Sequence, residues 1–193
     1  FETGEAIMSS PTGVDGTVFV GSDDNHVYAL DAASGDQQWR FETDADVESS
    51  PTVVNGTVFV GSDDNHVYAL DAETGEQQWS FGTGGSVFSS PTVVDDTVFV
   101  GSFNENLYAV DVATGGEQWA FETGYGIRSS PTVSDGTVFV GSGDNNLYAV
   151  DARTGEEQWT FETGGSVRSS PTVVDGTIFV GGGDNSLYAV DAA

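Results

Sequence analysis

The sequence contains no cysteine and no lysine, and its only basic residues are Arg40, Arg128, Arg153 and Arg168. Without cysteine there are no disulfides and no thiolate metal sites. A chain of 193 residues buries a sizeable core without such staples. With Lys+Arg 4 against Asp+Glu 31, the formal net charge is −27. That balance excludes nucleic acid, whose binding needs clustered Lys and Arg, and it excludes anionic membrane surfaces. Apolar runs extend only about four residues, far short of a bilayer-crossing helix, so no direct membrane insertion is expected. A chain opening on Phe1 rather than Met is expected to be a trimmed or excised piece.

What is present is acid laid over a foldable chain. Disordered acidic segments have few aromatics, whereas this sequence carries 12 Phe, 6 Tyr and 4 Trp. Two readings fit the charge. One is a halophilic protein, kept soluble in molar salt, where the Debye length of about 3 Å screens self-repulsion. The other is an acidic surface built for calcium or cationic partners. The absence of lysine everywhere, rather than at one patch, favours the first.

A repeat of 40 residues dominates. Phe1, Phe41, Phe81, Phe121 and Phe161 keep this spacing, as do Pro11, Pro51, Pro91, Pro131 and Pro171. So do Tyr28, Tyr68, Tyr108, Tyr148 and Tyr188, and Trp39, Trp79, Trp119 and Trp159. The units are 1–40, 41–80, 81–120, 121–160 and 161–193, with no insertion or deletion. Each reads as four short antiparallel strands rich in β-branched and aromatic residues. Asp-Gly or Asn-Gly forms the first hairpin turn, with Asp95-Asp96 in the third unit. Abundant Gly and the lack of 3.6-residue periodicity exclude helix. A repeated four-stranded meander of this length predicts an all-β fold, a β-propeller of four-stranded blades. The proline in each first strand predicts an edge position, innermost in its blade.

The pattern Ala-x-Asp-x-x-Thr-Gly-x-x-x-Trp recurs at Ala69-Asp71-Thr74-Gly75-Trp79, Ala109-Asp111-Thr114-Gly115-Trp119 and Ala149-Asp151-Thr154-Gly155-Trp159. The first unit has Ser34 for Thr, in Ala29-Asp31-Ser34-Gly35-Trp39. This resembles the tryptophan-docking motif of PQQ-like (pyrroloquinoline-quinone-type) propeller repeats, and it covers the whole chain. The resemblance implies that each Trp packs on the turn of a neighbouring blade, with Gly35, Gly75, Gly115 and Gly155 leaving room for the ring. It implies an extracellular or cell-surface setting. Residues 1–3 read as a detached fourth strand that completes the last blade, giving a single domain, 1–193, expected to be a closed five-bladed ring. If the ring closes, a monomer is expected; otherwise the alternative is self-association through open blade edges.

Enzymes with such repeats hold a quinone and calcium on insertions between blades. This chain has no insertions, so neither cofactor and no catalytic residue is expected. His26 and His66 align with Asn106, Asn146 and Ser186 and read as polar strand-start residues. Asp24, Asp64, Asp144 and Asp184 offer hard oxygens to a cation, but they sit in hairpin turns that Asp and Asn favour for their own sake. They are at most weak metal candidates.

Departures from the repeat are more informative, because the fold does not dictate them. The position before each Ser-Ser-Pro holds Met8, Glu48, Phe88, Arg128 and Arg168, and three residues earlier Tyr125 stands alone among Glu5, Ala45, Gly85 and Gly165. These residues are expected to ring one face, where propeller loops bind. Arg128, Arg168 and Tyr125 form the expected binding site for a protein partner, such as an acidic tail, or for a small anionic ligand. Phe88 and Phe103, which replace polar or variable residues in the third unit, are a second candidate contact, with Phe88 as an alternative plug of the channel. The expected function is a non-catalytic scaffold or binding module of a halophilic prokaryote. The alternatives are a fragment of a quinoprotein dehydrogenase and a duplicated structural module of a longer surface protein. The charge also makes a direct prediction. The melting temperature should rise steeply as KCl goes from about 0.1 M into the molar range, and a flat dependence in a thermal scan would contradict the halophilic reading.

Overall fold

The structure is a computed structural model that describes residues 1–193. It has strands and turns throughout and no helix. The first blade comprises β1 (Thr12–Val14), β2 (Thr17–Ser22), β3 (His26–Asp31) and β4 (Gln37–Glu42). The second comprises β5 (Thr52–Val54), β6 (Thr57–Gly61), β7 (His66–Asp71) and β8 (Gln77–Gly82). The third has β9 (Thr92–Val94), β10 (Thr97–Gly101), β11 (Asn106–Asp111) and β12 (Glu117–Glu122). The fourth has β13 (Thr132–Ser134), β14 (Thr137–Gly141), β15 (Asn146–Asp151) and β16 (Glu157–Glu162). The fifth holds β17 (Thr172–Val174), β18 (Thr177–Gly181) and β19 (Leu187–Asp191). Each sheet is an antiparallel meander in chain order, as the repeat predicts.

Turn chemistry sets the register. Asp15-Gly16, Asn55-Gly56, Asp135-Gly136 and Asp175-Gly176 all take positive φ at both residues, the geometry of a two-residue hairpin whose twist matches the strands. Where Asp96 replaces Gly, only Asp95 keeps the positive φ. Opposite each Trp the third and fourth strands shift register by one residue, as between Ala29 and Leu30 and between Ala109 and Val110. Such a bulge strengthens local twist.

Packing divides the chain into two compact units, Phe1–Pro91 and Thr92–Ala193. In the first, Phe19, Val27, Ala29 and Trp39 of one blade pack on Val58, Val60, Tyr68 and Leu70 of the next. In the second, Phe99, Leu107, Ala109 and Trp119 pack in the same way on Val138, Val140, Tyr148 and Val150. Within each unit the middle strands are therefore apolar on the faces that meet, because each is buried there against the neighbouring sheet.

Two contacts fix how adjacent blades meet. Trp39 Nε1 donates to the Ala72 carbonyl at 3.0 Å, and its ring lies over Gly75, where an added Cβ would sit 2.7 Å from Cδ2. Trp119 repeats this on Ala152 and Gly155, at 3.1 Å and 2.8 Å. Both glycines have φ near +75°, at 75° and 74°, so the turn needs glycine for its conformation as well as for space. Within each turn Asp71 or Asp151 accepts from the backbone N–H and hydroxyl of Thr74 or Thr154. The second contact is a peg. Val47, Val87, Ile127 and Val167, all fully buried, fill the space beside Gly21, Gly61, Gly101 and Gly141.

First strands of successive blades are joined directly. Thr12 Oγ1 donates to the Pro51 carbonyl at 2.6 Å in the first unit, and Thr132 Oγ1 to Pro171 at 2.5 Å in the second. Each first strand lies at the end of its sheet order, the position that proline requires. Residues 1–3 carry no strand. Phe1 packs on Tyr28 at 5.0 Å between centroids, the contact Phe41 makes with Tyr68 at 5.2 Å. The fifth sheet has three strands, and its Leu187 is 75% exposed where Leu147 is 0%.

Candidate functional site

The second-to-third-strand turn and the loop leading into the first strand lie at the same end of each blade. They are stitched together by backbone hydrogen bonds such as Asp23 N to Ala6 O at 2.9 Å and Gly183 N to Ser166 O at 2.8 Å. At this end Asp24, Asp64, Asp144 and Asp184 accept hydrogen bonds that hold the turns in place. Asp24 accepts from Tyr28 Oη at 2.8 Å and from Gly4 N–H at 2.6 Å. Asp64 accepts from Tyr68 and from the Asp44 N–H of the preceding blade, and Asp144 from Tyr148 and the Gly124 N–H. Asp184 accepts from Tyr188. The four aspartates named as weak cation candidates are therefore engaged in tying turns to strands. His66 is held in the same turn, with Nδ1 3.0 Å from the Asp64 carbonyl and 3.4 Å from its carboxylate.

These ties shift protonation. Burial pulls Asp24 upward, but the Gly4 N–H and the Tyr28 hydroxyl outweigh it, and its carboxyl lies below the usual range. Burial, followed by donation to a carboxylate, pushes Tyr28 and Tyr148 up to about 12 and raises Tyr68 as well.

The third repeat departs from this scheme. Phe103 stands where the first two repeats have Asp23 and Asp63, and Asn104 stands for the following aspartate. Asn104 Nδ2 donates to Tyr108 Oη at 2.7 Å, which keeps the tie without the charge. Glu105 then occupies the left-handed position, with φ 76°, that Asn25, Asn65, Asn145 and Asn185 fill elsewhere. A residue without the local hydrogen bonds of Asn is strained there, by about 1 kcal/mol.

Phe103 projects to the loop of the fourth blade. Its ring meets Tyr125 edge-on, at 5.8 Å and 84°, and Arg128 Cζ lies 5.6 Å from its centroid, a cation–π distance. Two glycines seat the rings. A Cβ on Gly126 would lie 2.6 Å from Phe103, and one on Gly143 would lie 2.5 Å from Tyr125. Both rings nonetheless remain 40% and 51% exposed, as does the Arg128 side chain.

Arg168 occupies the equivalent loop position one blade on and is also exposed. Two residues beyond the arginines, Ser130 N donates to Ser170 Oγ at 3.0 Å, so the two loops run side by side. A cavity of ≈ 560 Å³ beside Arg168 is lined by Ser166, Ser169 and Gly181 to Gly183. It opens because Gly181 has only Ser169 near it, where Gly141 has Val167.

The structure thus joins Tyr125 and Arg128 with Phe103, which the sequence singled out separately, and sets Arg168 on the neighbouring loop. Met8, Glu48 and Phe88 take the same loop position in the first unit; Met8 is 66% exposed, and Glu48 and Phe88 are half-buried. Sequence reasoning missed Gly126 and Gly143. The signal was available, since Gly126 replaces Ala6, Asp46, Ser86 and Ser166.

A family profile described as outer membrane protein assembly factor BamB matches residues 2–120 and 103–193. No curated protein matches. Among solved structures, BamB from Moraxella catarrhalis is similar at TM-score 0.87 and 22% identity, over 100% of this chain and 60% of that one. The computationally designed Ika8 protein is similar at TM-score 0.84 and 17% identity, over 94% of this chain and 57% of its own. At these identities the likeness shows the fold, and the chain spans about three fifths of each neighbour's length.

The raised tyrosines predict an alkaline limit. Their folded pKa lies above the unfolded value of about 10, so their contribution is complete below pH about 10 and lost as pH rises toward about 12. Urea unfolding in molar KCl should show stability falling across that window. Replacing Tyr28, Tyr68 and Tyr148 with Phe should flatten the fall, and an unchanged profile in the triple variant would show that other groups cause it.

Proposed function

The chain belongs to the BamB family of β-propeller repeat proteins, and on that premise we propose that it is a non-catalytic scaffold that binds a protein partner in molar salt. The observation that carries the reading is the Phe103–Tyr125–Arg128 cluster. Exposed aromatics beside arginine are the composition of an interaction hot spot. They stand at the loop end of the blades, on a rigid framework of repeated sheets. The description of the family, an assembly factor, supports partner binding rather than turnover.

The acidic surface supports a molar-salt setting. Carboxylates are spread through every repeat, so they describe the solvent more than the partner. Hydrophobic contacts strengthen with salting-out ions, whereas exposed ion pairs weaken. An aromatic-centred patch is therefore the kind of binding surface that keeps its affinity in brine.

Site-specific photo-crosslinking in the source cells tests the proposal. A photoreactive residue in place of Tyr125 should give a discrete protein adduct, and one in place of Glu156, in the turn at the other end of the same blade, should not. Adducts at neither position, or equally at both, would refute a dedicated binding face. Alcohol or glucose oxidation on addition of pyrroloquinoline quinone and Ca²⁺ would refute the non-catalytic reading.

A further inference from the structure

The partner's chemistry follows from how the patch departs from the repeat. Four changes coincide at one place in a chain whose units are otherwise nearly copies. Phe103 replaces an aspartate, Asn104 replaces a second, Tyr125 is the one aromatic at its position, and Gly126 is the one glycine at its own. They depend on each other sterically, because Phe103 has room only where residue 126 lacks a Cβ. Independent drift at exposed positions does not produce such a fit.

The same changes alter the local charge. The corresponding turns of the first two blades each carry two adjacent aspartates, Asp23-Asp24 and Asp63-Asp64. The third-blade turn carries Phe103-Asn104-Glu105, one carboxylate in place of two, with Arg128 on the ring and Arg168 on the next loop. Of the four arginines in the chain, two therefore stand on neighbouring loops at this end of the blades. In molar salt only charges in contact discriminate between partners, and at contact distance the two guanidinium groups offer a carboxylate paired hydrogen bonds that the acidic surface around them lacks.

Resting on the scaffold reading, we infer that this patch binds an extended acidic segment of a partner protein in which a carboxylate neighbours an aromatic or large apolar side chain. The apolar side chain packs on the exposed faces of Tyr125 and Phe103. The carboxylate pairs with Arg128, which Phe103 holds from below by the cation–π contact, and a following carboxylate meets Arg168. Guanidinium groups suit this role because they accept a carboxylate at the edge while stacking on a ring by the face. Glu105 is held in a strained left-handed conformation within the turn that presents Phe103, and local strain of this kind concentrates at binding sites.

The test uses fluorescence anisotropy of two labelled peptides in molar KCl, Gly-Glu-Trp-Glu-Gly and its Gln-for-Glu analogue. The acidic peptide should bind, and the analogue at least about tenfold more weakly. F103D and R128E install residues that the repeat accommodates at positions 23, 63 and 48, so both variants should melt near the parent temperature. Each should lose at least about tenfold in affinity for the acidic peptide, and Glu156→Ala should lose nothing. Equal binding of the two peptides, abolished in both variants, would overturn the acidic requirement while leaving the scaffold reading intact. Binding of neither peptide would overturn this inference, with the crosslinking experiment still deciding the scaffold reading. Binding unaffected by F103D and R128E would overturn both.

Discussion

A tryptophan ring lying on a glycine turn of the next blade is the contact on which the rest of this structure depends. A single four-stranded meander of 40 residues cannot bury both of its apolar faces alone; it must stack on a neighbour. The Trp39 and Trp119 rings set that stacking by three means at once. Each ring buries a large apolar area, each indole N–H satisfies an otherwise unpaired carbonyl at 3.0 or 3.1 Å, and each requires glycine beneath it. The valine and isoleucine pegs beside Gly21, Gly61, Gly101 and Gly141 repeat the principle at the other end of the blade. Close approach of backbone to side chain, made possible by missing Cβ atoms, is the common device.

The same device builds the candidate site. Gly126 and Gly143 seat Phe103 and Tyr125 as Gly75 and Gly155 seat the tryptophans. The difference is that the tryptophans end up buried, whereas Phe103 and Tyr125 stay 40% and 51% exposed. A fold that relies on ring-over-glycine packing for stability has used the same contact to hold two rings in water, with an arginine beside them. Exposed aromatic area in a chain of charge −27 runs against the solubility for which the rest of the surface is built, and the proposed binding role accounts for it.

Much of the fold was legible in the sequence because the repeat removes ambiguity. Four copies of the Asp-Gly or Asn-Gly turn, the strand alternation and the Trp-to-Gly spacing all point to one blade, and the strand ladders follow that register. The binding candidates were only half legible. The variable loop position exposed Arg128, Arg168 and Tyr125, but it grouped them with Met8, Glu48 and Phe88 by alignment alone. What ties Phe103 to Tyr125 is a contact between blades, with 21 residues of intervening sequence, and no periodicity within one repeat encodes it. The aspartates illustrate the reverse case. Asp24, Asp64, Asp144 and Asp184 read in the sequence as turn residues that also offer hard oxygens, and the hydrogen bonds from Tyr28, Tyr68, Tyr148 and Tyr188 add what no turn propensity encodes, a tie from the turn to the strand that follows.

The central claim is that ring-on-glycine docking carries the coupling between blades. A double-mutant cycle with Trp119→Ala and Gly155→Ala, followed by urea unfolding in molar KCl, measures that coupling directly. The account predicts a loss of about 3–5 kcal/mol for Trp119→Ala and a substantial loss for Gly155→Ala. In the double variant the loss should fall short of the sum by about 1–3 kcal/mol, because the alanine methyl no longer meets a ring. Losses that add within about 0.5 kcal/mol would show that the ring and the glycine act independently, and would contradict the account.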